Sequence, residues 1–147
     1  MTGVQTCALP IYSCTLVEDA IAIAALYRTL ARHLYLNPWR HCDLDPVGRA
    51  IIVENKWQAQ RHGVHATFAA EDGAVTVAEM LERVICEIAA DAEALGCSAE
   101  INRCRVIVSS GTSADEQLAV FAAHSGNGGR GAALRAVTEW IAAATLQ

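Results

Sequence analysis

Basic residues are scarce in this chain. Lys and Arg together number 11 against 16 Asp and Glu, a formal net charge of −5 over 147 residues. Binding along a phosphate backbone needs clustered cations, so nucleic acid is excluded as the main partner, and only a small acidic molecule is left to find a local basic spot. Long apolar runs are missing too. The most hydrophobic stretch, Ala20 to Tyr27, is too short to cross a bilayer and is bracketed by Glu18, Asp19, Arg28 and Arg32, so no membrane span is expected. The chain start lacks the basic region of a signal peptide. No C-x-x-C pair exists: Cys7, Cys14, Cys42, Cys86, Cys97 and Cys104 come no closer than seven residues apart, which removes the spacing of a zinc knuckle or a redox dithiol. The thiols are therefore expected to be reduced and the compartment cytoplasmic. Cys86, set among apolar residues in a helical pattern, is expected to act as a small core residue.

What is present is enough apolar material for a core. Hydrophobic residues make up 53% and charged residues 18%, which argues against disorder and fits one domain or a piece of a larger one. Thr15 to Leu36 reads as a helix, with Thr15 as N-cap and Glu18 at capping-box spacing. Its half from Ala20 to Leu26 is apolar all round and is expected to be buried on several sides. Asn37-Pro38 stops it, and Trp39 to Asp45 is a polar loop. Asp45-Pro46 opens a second helix that runs to His62 and ends on Gly63. Val64–Phe68 and Ala74–Thr76 flank the turn signal Glu71-Asp72-Gly73, which predicts a small hairpin.

Val77 to Leu95 carries the clearest stripe: Val77, Met80, Leu81, Val84, Ile85, Ile88, Ala92 and Leu95 recur at helical spacing and predict one continuous helix. Ser98 to Ser110 follows, closed by Gly111. Ser113-x-x-Glu116 predicts a capping box for a helix through His124, and Gly126 to Gly131 a flexible connector. Ala132 to Leu146 completes the chain, with Leu134, Val137, Trp140 and Ile141 inward. The fold class is mostly α, about six helices with one small hairpin.

Certain strings resemble a known family. They are Cys14-Thr15-Leu16-Val17-Glu18-Asp19-Ala20 with the alanine-rich helix after it, Glu54-Asn55-Lys56-Trp57-Gln58-Ala59-Gln60-Arg61-His62-Gly63, Ala94-Leu95-Gly96-Cys97, and Gly111-Thr112-Ser113-Ala114-Asp115. Together they resemble the C-terminal half of glutamate–cysteine ligase type 2 and its carboxylate–amine ligase relatives. The resemblance implies a glutamine-synthetase-like α+β fold whose N-terminal sheet holds ATP and a metal such as Mg2+. It implies a reaction in which ATP phosphorylates the γ-carboxylate of glutamate and an amine, such as that of cysteine, displaces the phosphate. The carboxylates that would hold the metal are not recognisable in this chain.

Residues 1–11, MTGVQTCALPI, resemble a translated sequencing adapter. On that reading residues 1–12 are a leader, and residues 13–147 are the helical part of a ligase domain whose sheet is missing. Such a piece is expected to be inactive alone, to have the absent N-terminal part as its partner, and to form a homodimer by default.

The candidate site follows the second string. Glu54, Trp57, Gln58 and Arg61 lie at i, i+3, i+4 and i+7 and share one helix face, with Asn55 and Lys56 beside it. Arg61 is the first choice for a substrate- or nucleotide-facing group, because a guanidinium grips a carboxylate or phosphate with two parallel hydrogen bonds. The plain structural reading makes Trp57 a core anchor and Glu54 and Arg61 solvated or capping charges. Many family members carry Arg where this chain has Lys56 and Gln58, which thins the positive field here. His62-x-x-His65 and His41-Cys42 offer no fixed metal-ligand face. Gly126 to Gly131 lacks the preceding strand of a phosphate loop. The rival to a ligase remnant is a self-contained helical interaction module without catalysis. The two differ on Ile21, Ile23, Ala24 and Leu26, which a self-contained module buries and a remnant leaves open.

Overall fold

The computed structural model describes residues 14–41, 45–70, 72–126 and 129–146. The order is α1 (Val17–Leu36), a 3-10 turn (Pro38–His41), α2 (Pro46–His62), a second 3-10 turn (Gly63–His65), β1 (Thr67–Ala70), β2 (Gly73–Thr76), α3 (Val77–Glu87), α4 (Ala89–Ala94), α5 (Ser98–Ser110), α6 (Ser113–Ser125) and α7 (Gly129–Thr145). The mostly-α expectation holds, hairpin included. β1 and β2 pair antiparallel with Phe68 opposite Val75 and Ala69 opposite Ala74.

The core lies where α1 crosses α4 and α5. Ala25, Ile88, Ala92, Cys97 and Ile101 form its centre, with Leu26, Leu30, Val84, Ile85 and Leu95 around it. α1 contributes small residues: Ala22, Ala25, Thr29 and His33 are its buried stripe. Short side chains let α5 come close, and two thiols use the space. The Thr29 hydroxyl donates to the Ala25 carbonyl at 2.8 Å and lies 3.3 Å from Cys97 Sγ, while Cys104 Sγ lies 3.6 Å from the Ala22 carbonyl. Ion pairs at the rim hold the same helices. Asp91 takes His33 Nδ1 at 2.8 Å and Arg32 Nε at 3.0 Å; Arg103 Nε donates to Asp19 at 2.7 Å; Arg105 grips Glu82 with two bonds of 2.6 and 2.7 Å. α6 and α7 form a hairpin of their own.

Several expectations are overturned. The N-cap of α1 is Leu16, with no side-chain bond, because Thr15 lies one residue too early to reach the first-turn amides. The half from Ala20 to Leu26 is covered on one stripe only: Ile21 is 50% and Ile23 48% exposed, and Ala24 is exposed. The helix from Val77 to Leu95 is broken at Ile88, whose φ of −93° and ψ of 7° leave the helical region. Bonds of 3.0 Å from the Ile88 amide to Val84 and 2.9 Å from the Ala92 amide to Ile88 keep the ladder on either side. The bend leaves Ile88 only 1% exposed. Burying such a side chain is worth roughly 1.5–3 kcal/mol, enough to offset one irregular residue.

Cys86 is exposed rather than in the core; it lies on the Glu79–Arg83 side of α3, one turn from Glu82 and Arg83. The capping box at α6 is Thr112 with Asp115, one residue earlier than expected, because Gly111 at φ 91° ends α5 and leaves Thr112 as the extended N-cap. α7 begins at Gly129, ahead of the expected Ala132, so the last part of the expected connector is helical. Leu134 is 51% exposed, not inward. The Cys42 expectation and residues 1–13 lie outside the described residues.

Candidate functional site

α2 forms because Asp45 caps it, accepting from the Gly48 amide at 2.6 Å, with Pro46 at the first position and Gly63 at φ 55° ending it. None of its residues is buried. Asn55 ties it to the hairpin. Asn55 Nδ2 donates to the Ala69 carbonyl at 2.8 Å, and the Ala69 amide donates to Asn55 Oδ1 at 2.8 Å. This pair imitates a strand neighbour and fixes α2 against β1.

The remaining candidates stand in solvent. Gln58 Nε2 donates to Glu54 Oε1 at 2.9 Å along the shared face. Trp57 is 52% exposed and meets the His62 ring edge-on, centroids 6.1 Å apart at 81°, so it is not a core anchor. Lys56 and Arg61 are exposed. The face is thus a solvent-facing set with one guanidinium, one ammonium, one carboxylate and an indole ring. His62 and His65 are both exposed, and His65 Nε2 lies 3.6 Å from Asp115 Oδ1.

A second place was not visible from sequence. A cleft of about 370 Å3 opens where the start of α1, the end of α5, the start of α6 and the end of α7 converge, with Thr15, Asp19, Arg103, Ser113, Glu116 and Trp140 in its lining. Two of the quoted strings, the one at Cys14–Asp19 and the one at Gly111–Asp115, meet there. The Asp19–Arg103 pair spans 84 residues of sequence, and no local pattern signals it. At its edge the Thr112 amide and hydroxyl both donate to Asp115, at 2.7 Å each, and hold that carboxyl below the usual aspartate range, with His65 nearby adding to the effect.

Comparison with known proteins decides the family. The model of glutamate-cysteine ligase family 2 matches residues 5–139. The chain belongs to that family. The glutamate–cysteine ligase family match starts inside the segment set aside above as a leader. Curated relatives, each provisionally named glutamate–cysteine ligase 2, include one from Bradyrhizobium sp. (strain ORS 278), 56% identical over 133 residues, covering 90% of this chain and 31% of the relative. One from Rhodospirillum rubrum is 39% identical over 141 residues, covering 90% of this chain and 35% of its own length. One from Pseudomonas putida is 38% identical over 133 residues, covering 84% and 34%. The chain therefore spans about a third of the length of the family members it matches. No solved structure matches it.

Proposed function

We propose that this chain is the helical portion of an ATP-dependent carboxylate–amine ligase, one that joins the γ-carboxylate of glutamate to an amine such as that of cysteine through an acyl phosphate. The observation that carries the reading is the family match together with the open flank of α1. Ile21, Ile23 and Ala24 are exposed, as expected of a piece that lacks a neighbour and not of a self-contained module. Leu26 alone of the diagnostic residues packs against the core. In this reading the missing polypeptide covers that flank.

Arg61 is proposed to face a substrate carboxylate or phosphate, with Lys56 adding positive charge, Glu54 and Trp57 shaping the same face, and Asn55 holding the helix in position. ATP would supply the activated phosphoryl group, and Mg2+ would neutralise its charge. The residues here do not fit the metal. Among the described residues no three His, Cys, Asp or Glu gather to hold an ion, so no step through a metal is assigned to this chain. The chain alone is accordingly proposed to be inactive. The reading places the enzyme in the cytoplasm, where its thiols stay reduced; no helix among the described residues is long and apolar enough to cross a membrane.

The test is phosphate release in the presence of ATP, glutamate and cysteine. The purified chain is expected to give none above background, while the full-length Bradyrhizobium relative gives a signal that depends on both amino acids. Turnover by the chain alone would overturn the inactivity. No amino-acid-dependent release from the relative would overturn the ligase reading.

A further inference from the structure

The cleft where α1, α5, α6 and α7 converge has no part in the proposed reaction. At about 370 Å3 it has the size of a small ligand pocket. Its lining carries three charged side chains, Asp19, Arg103 and Glu116, together with the half-buried Trp140 and the apolar Leu16 and Val106. Arg103 is only partly committed. Its Nε donates to Asp19 at 2.7 Å, and its two terminal nitrogens bond no other group among the described residues. Arg105 on the same helix is spent by contrast, closing on Glu82 with Nε and Nη2 together. The Glu116 carboxylate stands exposed in the first turn of α6 and takes no hydrogen bond or ion pair among the described residues.

We infer that this cleft binds a neutral α-amino acid with a large apolar side chain. The ligand's carboxylate sits on the free end of Arg103, its ammonium on Glu116, and its hydrocarbon against Trp140 and Val106. The charges select this class. The remaining N–H groups of the guanidinium offer a carboxylate two parallel bonds. The lone Glu116 carboxylate calls for a cation on the same ligand. Two carboxylates against one guanidinium leave the lining negative, so a second acid group on the ligand is repelled. That disfavours glutamate, and the phosphates of ATP still more, so the cleft is not a second place for the carboxylate donor or the nucleotide of the proposed reaction. Trp140 and its apolar neighbours then reward a ligand that brings hydrocarbon out of water, which a small side chain cannot do. The inference uses the cleft and not the ligase reading. Binding to this chain alone tests it apart from turnover, so either can fail without the other.

The experiment is calorimetric titration of the intact chain with leucine. Saturable one-to-one binding is expected below ~10 mM. Leucinamide lacks the carboxylate and 4-methylpentanoate lacks the ammonium; each is expected to bind roughly tenfold more weakly or worse. Alanine, which leaves the Trp140 wall bare, should lose about as much. Glutamate should not compete. Glu116→Gln removes an exposed charge, so it is expected to keep the unfolding temperature while lowering leucine affinity roughly tenfold. Arg103→Lys, which keeps a cation beside Asp19 but loses the parallel pair of bonds, should act in the same direction. Glu93→Gln, exposed on α4 and outside the cleft, is expected to leave binding unchanged. No saturation with leucine would overturn the proposal. So would 4-methylpentanoate, alanine or glutamate binding as tightly as leucine, or an unchanged affinity in Glu116→Gln.

Discussion

At the scale of single residues, exposure separates the side chains that are free to react from those spent on structure. Arg61 has its guanidinium in solvent, while Arg103 and Arg105 are committed to carboxylates. If Arg61 grips substrate, its replacement by alanine at the matched position of a full-length relative should lower kcat/KM by about tenfold or more, roughly 1.4 kcal/mol of transition-state stabilisation. An unchanged kcat/KM would remove Arg61 from the site. The thiols divide in the same way. Cys86 is exposed, Cys97 and Cys104 are buried, and burial pushes the Cys104 thiol up, away from thiolate. Titration with an aromatic disulfide reagent should modify Cys86 at once and Cys97 and Cys104 only on denaturation. Immediate reaction of Cys104 would contradict its placement. Spacing already held part of this: Cys86 lies one turn from Glu82 and Arg83, off the apolar stripe. The depth of Cys104 depends on α1, which is distant in sequence.

Among the elements, the caps are the most legible features and also the most easily displaced by one residue. Asp45-Pro46 and Gly63 bound α2 where the sequence placed them. At α6 a glycine decided the frame, and Thr112 took the role expected of Ser113. Thr112→Ala should cost about 1 kcal/mol at neutral pH, measured by urea unfolding. The sign of its pH dependence follows from Asp115. That carboxyl is depressed in the folded chain, so its contribution is fully present above the ordinary aspartate value of 3.8 and is lost as pH falls through the lower folded value. The gap between wild type and Thr112→Ala should therefore close in acid; a gap that widened there would refute the box. The break at Ile88 had no such marker. An unbroken apolar stripe fits a straight helix as well as a bent one, and only the position of α1 and α5 decides between them.

For the whole molecule, the class, the hairpin and nearly every element were legible because each is set by spacing within a few residues. The candidate helix was legible as a face but not as an exposed one. Periodicity reports which residues share a side, and says nothing of whether that side is covered. α1 shows the limit most clearly, since its apolar residues were read as interior on several sides and only the stripe of Ala22, Ala25, Thr29 and His33 turned out to be buried. Asn55 adds a consequence for how copies of this protein can meet. In an antiparallel pair every second residue of an outer strand points its amide and carbonyl away from its partner, ready to recruit a stranger. At Ala69 both groups are already occupied by the Asn55 amide. The outer margin of β1 is thus blocked at Ala69, where an incoming strand would have to displace one carboxamide to pair.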